Sequence, residues 1–342
     1  MKPREACVQR RTVAYQRPIA TGYGVIHRRE VLLISVADSE GRWGHGEAAP
    51  LPGFSRDTLN DAEAALHSWV GGDNGGLEAS PTASAAVDSA KLDLASQAAG
   101  VPLHVHLDPS SPSSVPVAAL VVGTHLDELE SAAGLAVASG HRTLKLKVGS
   151  RPITEDRGRI QAVRDGSGSQ AAIRLDANGA WGLDEAVELL GRLTPEDIEL
   201  IEEPVSGGLV ALEKVAAQTG IPIAADESAT HPESFAEILR TGSVAVVVIK
   251  PSAIGGPAEA TRRIAAARDA GLSVVVTSML EGAVGVAAAA HLASATAALD
   301  PEPGLATSAL LAEDIGPALP VADGRLWLPE RPGLGTRPWT AS

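Results

Sequence analysis

The chain is poor in cysteine, in aromatic residues and in positive charge. Its single cysteine, Cys7, excludes a disulfide framework and leaves no cysteine cluster for a structural zinc. Aromatic residues make up 3% of the 342 positions while glycine alone supplies 35, a composition that suits closely packed helices around a parallel sheet. Lys and Arg number 28 against 42 Asp and Glu, giving a net charge of −14. A field of that sign repels phosphate backbones and anionic lipids, so neither nucleic acid nor a membrane surface is an expected partner. The longest apolar stretch, around Ala283–Ala290, falls well short of the ~20 residues a membrane-spanning helix needs. The opening residues Met1–Glu5 lead into no apolar run, and no secretory signal is expected there. A Walker A pattern is missing, and Gly255-Gly256 lacks the strand–GxGxxG–helix context of a dinucleotide site. These absences leave a soluble cytoplasmic enzyme as the expectation.

What is present is order of two kinds. Glu30–Val36 and Trp43–Glu47 read as the arms of an antiparallel hairpin around the turn Asp38–Gly41. Helical periodicity follows over Ser55–Val70 and Thr82–Ala99. From about Val115 short apolar β-rich runs recur, each followed by a helical stretch: Val115–Val122, Thr143–Val148, Ala172–Asp176, Ile198–Glu202, Ile221–Asp226, Val244–Lys250 and Ser273–Ser278. A period of about 25 residues with near-continuous apolar runs is that of βα units whose parallel strands are buried on both faces. Seven units, with a weaker eighth near Leu305–Leu311, predict an α/β fold: a modified (β/α)8 TIM-type barrel, (β/α)7β-like, behind an N-terminal α+β capping domain. Residues 1–112 are expected to form the cap, 113–312 the barrel, and 313–342 a segment returning to the cap. Cys7 is expected to pack within the first strand, and His104 and His106 to be structural residues between cap and barrel.

Charged residues stand at strand ends where a buried strand should have none. Asp176, Glu202 and Asp226 occupy matching points on three successive strands. Three carboxylates converging in one pocket repel strongly unless a cation neutralises them, and hard oxygen ligands point to one Mg²⁺ or Mn²⁺. Lys145 and Lys147, two residues apart, share a face of their strand, and Lys250 faces them from the far side. A lysine beside a metal cation is expected to have a lowered pKa and to act as a base. Such a base next to a metal suits proton abstraction α to a carboxylate, with an enediolate stabilised as the proton leaves.

The series Lys145-x-Lys147, Asp176-x-Asn178, Glu202-Glu203-Pro204, Asp226-Glu227-Ser228 and Lys250-Pro251 resembles the muconate-lactonizing subgroup of the enolase superfamily, over nearly the whole chain. The resemblance implies that Asp176, Glu202 and Asp226 are metal ligands, Lys147 the base and Lys250 the opposing lysine. Lys145, Arg174, Asn178, Glu203 and Glu227 would be supporting residues. Within the subgroup, the cap segment Trp43–Ser55 and the stretches Arg174–Trp181 and Val248–Pro251 resemble o-succinylbenzoate synthases. That resemblance implies a small carboxylate substrate, a dehydration in menaquinone biosynthesis, and Phe54 and Ser55 overhanging the substrate. Ser278, Met279 and Gly304 would line the same pocket from the later strands. The stretch Thr277–Gly282 resembles muconate cycloisomerases as much, so cycloisomerase and N-acylamino acid racemase or dipeptide epimerase remain open. Dipeptide epimerases carry an Asp-x-Asp pair where Gly304 and Ala306 stand here. A barrel that binds without catalysis is disfavoured by the full set of acids and lysines, and the sequence leaves a homo-oligomer open.

Overall fold

The computed structural model describes residues 5–21, 24–193 and 198–339; Met1–Arg4 lie outside the described residues. Strands β1 (Glu5–Thr21), β2 (Gly24–Ala37) and β3 (Trp43–Ala48) form an antiparallel meander. The side-chain period of two splits β2 between two cores. Leu32, Ile34 and Val36 pack under the helices Leu59–Gly71 and Pro81–Ala99, while Val31 and Leu33 face the main core. Helix Pro81–Ala99 lies directly on β3: a Cβ at Gly46 would sit 1.8 Å from the Ala86 carbonyl oxygen, so only glycine permits the approach. Cys7 does not pack in this layer as expected. It stands opposite Ser35 on β1 with its side chain exposed, because its neighbours Ala6 and Val8 take the face packed against the cap core.

After β4 (Ser114–Pro116), seven parallel strands follow in chain order: β5 (Ala119–Val121), β6 (Thr143–Lys147), β7 (Ala172–Asp176), β8 (Leu200–Glu202), β9 (Ile223–Ala225), β10 (Val246–Ile249) and β11 (Ser273–Val276). The curled parallel sheet with helices between its strands is the expected barrel, with two differences. The first run divides, because Pro116 ends β4, which pairs antiparallel with Arg325–Trp327 and so leaves the barrel. The eighth strand is not formed over Leu305–Leu311. That stretch is a 3₁₀ turn, Ala306–Leu310, and the eighth position is filled by Pro303 and Gly304. Gly304 bridges to Thr277, and the Pro303 carbonyl accepts from Ala118 N at 2.9 Å. The chain then returns as β12 (Leu311–Glu313) along β1. No helix of the described residues is long and apolar enough to cross a membrane.

His104 and His106 do not act together: His106 is exposed, and His104 stacks on the fully buried His291 with ring centroids 5.2 Å apart. His291 Nδ1 accepts from His104 N at 3.0 Å and Nε2 donates to the Leu334 carbonyl at 3.1 Å, the neutral tautomer this network requires. Burial pulls the His291 pKa down to about 3. A depressed histidine contributes stability that is present above its unfolded pKa and lost as pH falls toward the folded one. Between pH 6.5 and 5 the wild type is therefore expected to lose stability faster than His291→Gln, the extra slope rising to about 1.4 kcal/mol per pH unit at the acid end. Urea unfolding of both proteins across that window checks it; parallel slopes would remove the role of His291.

Candidate active site

Register brings the acids together. Lys147, Asp176 and Glu202 align across β6, β7 and β8, and Glu202 aligns with Ala224 on β9. Asp226, two residues past Ala224, points to the same side. One oxygen from each of Asp176, Glu202 and Asp226 lies within 4.8 Å of the others, the one such group among the described residues. All three are buried, at most 1% exposed. Ammonium groups meet this charge: Lys145 Nζ lies 2.7 Å from Asp176 and 2.5 Å from Glu202, Lys147 Nζ 2.6 Å from Asp176, and Lys250 Nζ 2.6 Å from Asp226.

The electrostatics follow. Burial pushes Asp176 up, but Lys145 and Lys147 outweigh it and hold the carboxyl well below its usual range. Burial pushes Asp226 up to about 6, with Lys250 opposing and Glu227 and Asp176 adding to the rise. Glu202 is raised by burial and by its two acidic neighbours against Lys145. With no metal present, Lys145 and Lys250 are both raised: burial lowers each, and the surrounding carboxylates more than reverse it. One carboxylate oxygen, Asp226 Oδ1, is buried with no hydrogen-bond partner among the described residues. An orphaned oxygen amid three carboxylates is what a bound cation satisfies, so the donor set fits a divalent metal.

The supporting residues fall into two groups. Asn178 accepts from Lys147 Nζ at 2.9 Å and donates to Glu227 at 2.9 Å. Glu203 accepts from Asp226 N at 2.9 Å and from the Ser228 hydroxyl, fixing the backbone that presents Asp226. Asn178 and Glu203 both hold left-handed backbones, with φ of 47° and 37°, conformations that non-glycine residues keep only where the surroundings enforce them. Arg174 stands apart. Its guanidinium pairs with Glu199 at 2.5 Å and with the Glu302 carbonyl, one pleat below the triad.

A model of the family described as "Enolase C-terminal domain-like" matches residues 127–341, and one described as "MenC, N-terminal domain" matches residues 4–94. The chain belongs to the enolase superfamily. Within it the relatives are those of the muconate-lactonizing subgroup. The L-Ala-D/L-Glu epimerase of Bacillus subtilis is 30% identical, over 94% of this chain and 93% of that protein. Muconate cycloisomerase 1 of Rhodococcus opacus is 32% identical over 74% and 69%. An o-succinylbenzoate synthase of Thermobifida fusca is 39% identical over 56% and 61%. A dipeptide epimerase of Enterococcus faecalis, solved with Mg and L-Leu-L-Tyr, superposes with a TM-score of 0.90 at 28% identity, covering 98% of this chain and 99% of that one. The protein is thus an enolase superfamily enzyme with a buried acidic triad able to bind a metal.

Above the triad of this superfamily enzyme lies a cavity of about 70 Å³ walled by Ile19, Leu51, Phe54, Leu120, Met279 and Leu280, with Ser278, Gly304 and Thr307 on one side. Phe54 sets its ring 3.9 Å from Lys250 Nζ. Ser55 is not on the wall; its hydroxyl accepts from Leu51 N at 2.8 Å and so shapes the loop that carries Phe54. The cavity roof depends on residues the sequence reading passed over. Arg29, 5% exposed, donates to the carbonyls of Met279 and Ala49, tying the strand-seven loop to the cap. Glu47 accepts from Gly282 N at 2.7 Å and Gly285 N at 2.9 Å, and Tyr15 donates to the Leu280 carbonyl at 2.7 Å. The available signal was a glutamate, Glu47, within an otherwise small and apolar strand end.

Proposed function

We propose that this enzyme is an o-succinylbenzoate synthase, a carbon–oxygen lyase that dehydrates 2-succinyl-6-hydroxy-2,4-cyclohexadiene-1-carboxylate in the cytoplasm as a step of menaquinone biosynthesis. The observation that carries the reading is the pocket wall at Gly304–Thr307, which holds no carboxylate, beneath a largely apolar roof. An apolar ring bearing acidic substituents has favourable surroundings there, whereas a substrate ammonium at that wall has no anionic partner, Asp176 across the pocket being held by Lys145 and Lys147, at a cost of several kcal/mol in such a pocket. The match of residues 4–94 to the MenC N-terminal family supports the same choice. Asp176, Glu202 and Asp226 would hold Mg²⁺, which would stabilise negative charge developing on the substrate carboxylate. Lys147 is the proposed base that takes the proton α to that carboxylate, oriented by Asp176 and Asn178. Lys250, on the opposite side, remains an ammonium between Asp226 and the face of Phe54 and steadies the developing charge. The protonated Lys147 then gives that proton to the departing hydroxyl, which leaves as water, and the ring becomes aromatic.

A second reading, isomerase, is favoured by one feature: two lysines on opposite faces are what a two-base exchange at an α-carbon requires. Assay of the cyclohexadiene beside Ala-Glu and similar free dipeptides separates the two. Efficient dehydration with negligible dipeptide epimerisation is expected. Rapid epimerisation with the cyclohexadiene untouched would put the enzyme in the other branch.

A further inference from the structure

We infer that the active site continues into a second, cationic pocket that binds a carboxylate at the distal end of the substrate, with Arg151 and Arg159 as its donors. Beyond Lys147, a cavity of about 130 Å³ shares Ile19, Leu120 and Lys147 with the first. Its outer wall is the end of β5 through Thr124, the loop after β6 with Ser150 and Arg151, and Arg159 from helix Ile153–Ser167. Lys147, Arg151 and Arg159 line it, and among the described residues no acidic one does, in a chain whose net charge is −14. A local excess of cations against that background marks a place for an anion.

The donors are placed to serve one. Arg159 is 8% exposed; its Nη1 donates to Asp156 at 2.7 Å, but its Nε is buried with no hydrogen-bond partner among the described residues. Arg151 makes a long, exposed pair with Glu155 at 3.3 Å, with side chains 37% and 54% exposed, and a pair of that kind is weak enough to be exchanged for a ligand. The acids nearby already have donors of their own: Asp156 accepts from Gly149 N at 2.7 Å and takes one edge of Arg159 through Nη1, and Glu128 accepts from Thr124 N at 2.7 Å. Guanidinium forks match a carboxylate bidentately. The inference rests on the proposed function only for the identity of the acid, which would be the succinyl carboxylate.

Calorimetric titration of the Mg²⁺-loaded protein with o-succinylbenzoate and with its neutral succinyl methyl ester tests it, in wild type, Arg151→Gln and Arg151→Glu. The wild type should prefer the free acid by roughly tenfold or more, the worth of a charge-assisted hydrogen bond. Arg151→Gln should lose most of that preference and Arg151→Glu all of it, with ester affinity unchanged as the check on folding and the metal site. In the dehydration assay KM should rise in the variants while kcat holds. Equal preference in wild type and Arg151→Gln, or no saturable binding of the free acid by wild type, would overturn the inference. If dehydration proceeds with an unchanged KM in Arg151→Gln, the pocket assignment falls and the synthase reading stands. If dehydration is absent but the Arg151-dependent preference persists, the pocket stands and the synthase reading falls.

Discussion

Asp176→Asn is expected to abolish turnover and to weaken Mg²⁺ binding by at least about 100-fold, since loss of an outer-shell partner alone costs roughly 10–100-fold in metal affinity. Asp176 is the acid of the triad contacted by both Lys145 and Lys147. Asparagine keeps the shape and removes the charge. It also leaves Lys147 without its carboxylate, but that side chain is 23% exposed and retains Asn178, so water reaches it. The stability cost should be about 1–3 kcal/mol, below the roughly 3–5 kcal/mol of breaking a sealed pair. Calorimetric Mg²⁺ titration, with circular dichroism to show that the barrel persists, decides the matter. Equal binding by both proteins would sink the metal assignment.

The acids and lysines were legible because parallel strands buried on both faces leave a charged residue conspicuous. Asp176, Glu202 and Lys250 each close an apolar run, and residue parity then tells which face each side chain takes. Parity does not say what a side chain meets, and Arg174 illustrates the gap. It lies on the same face as Asp176, but two residues earlier, ~7 Å lower along the strand, where Glu199 takes it. The full length of strand β1 was hidden for a different reason: Gln9, Arg10, Arg11, Gln16 and Arg17 interrupt its apolar residues, so no apolar run marks it. The Arg29 tie between cap and strand-seven loop joins positions 250 residues apart, and such a contact has no local signature. The eighth barrel position was placed too late in the chain, because Leu305, Leu310 and Leu311 supply apolar residues to a 3₁₀ turn and its flanks as readily as to a strand.

Lys147→Ala should lower kcat by roughly 10²–10⁴, the range a positioned general base supplies, and the more informative result lies in what Lys250 then does. Both lysines are held by a triad carboxylate, but their remaining surroundings differ. Lys147 has Asn178 Oδ1 at 2.9 Å, a neutral acceptor that orients it. Lys250 has the face of Phe54 at 3.9 Å, and an aromatic face favours the charged ammonium over the free amine that a base must become. This asymmetry suits one-base chemistry with a fixed cation opposite. In D₂O, an N-succinyl amino acid of one hand presents its α-hydrogen to Lys147 and its mirror image presents it to Lys250. Wild type should therefore exchange one enantiomer much faster than the other, and Lys147→Ala should lose the fast exchange entirely. Two comparable rates in the wild type, each removed by alanine at its own lysine, would show a two-base site and turn the reading toward the racemases. Fast exchange surviving in Lys147→Ala with every substrate would mean that the proton leaves to another group, and the assignment of Lys147 as the base would have to be abandoned.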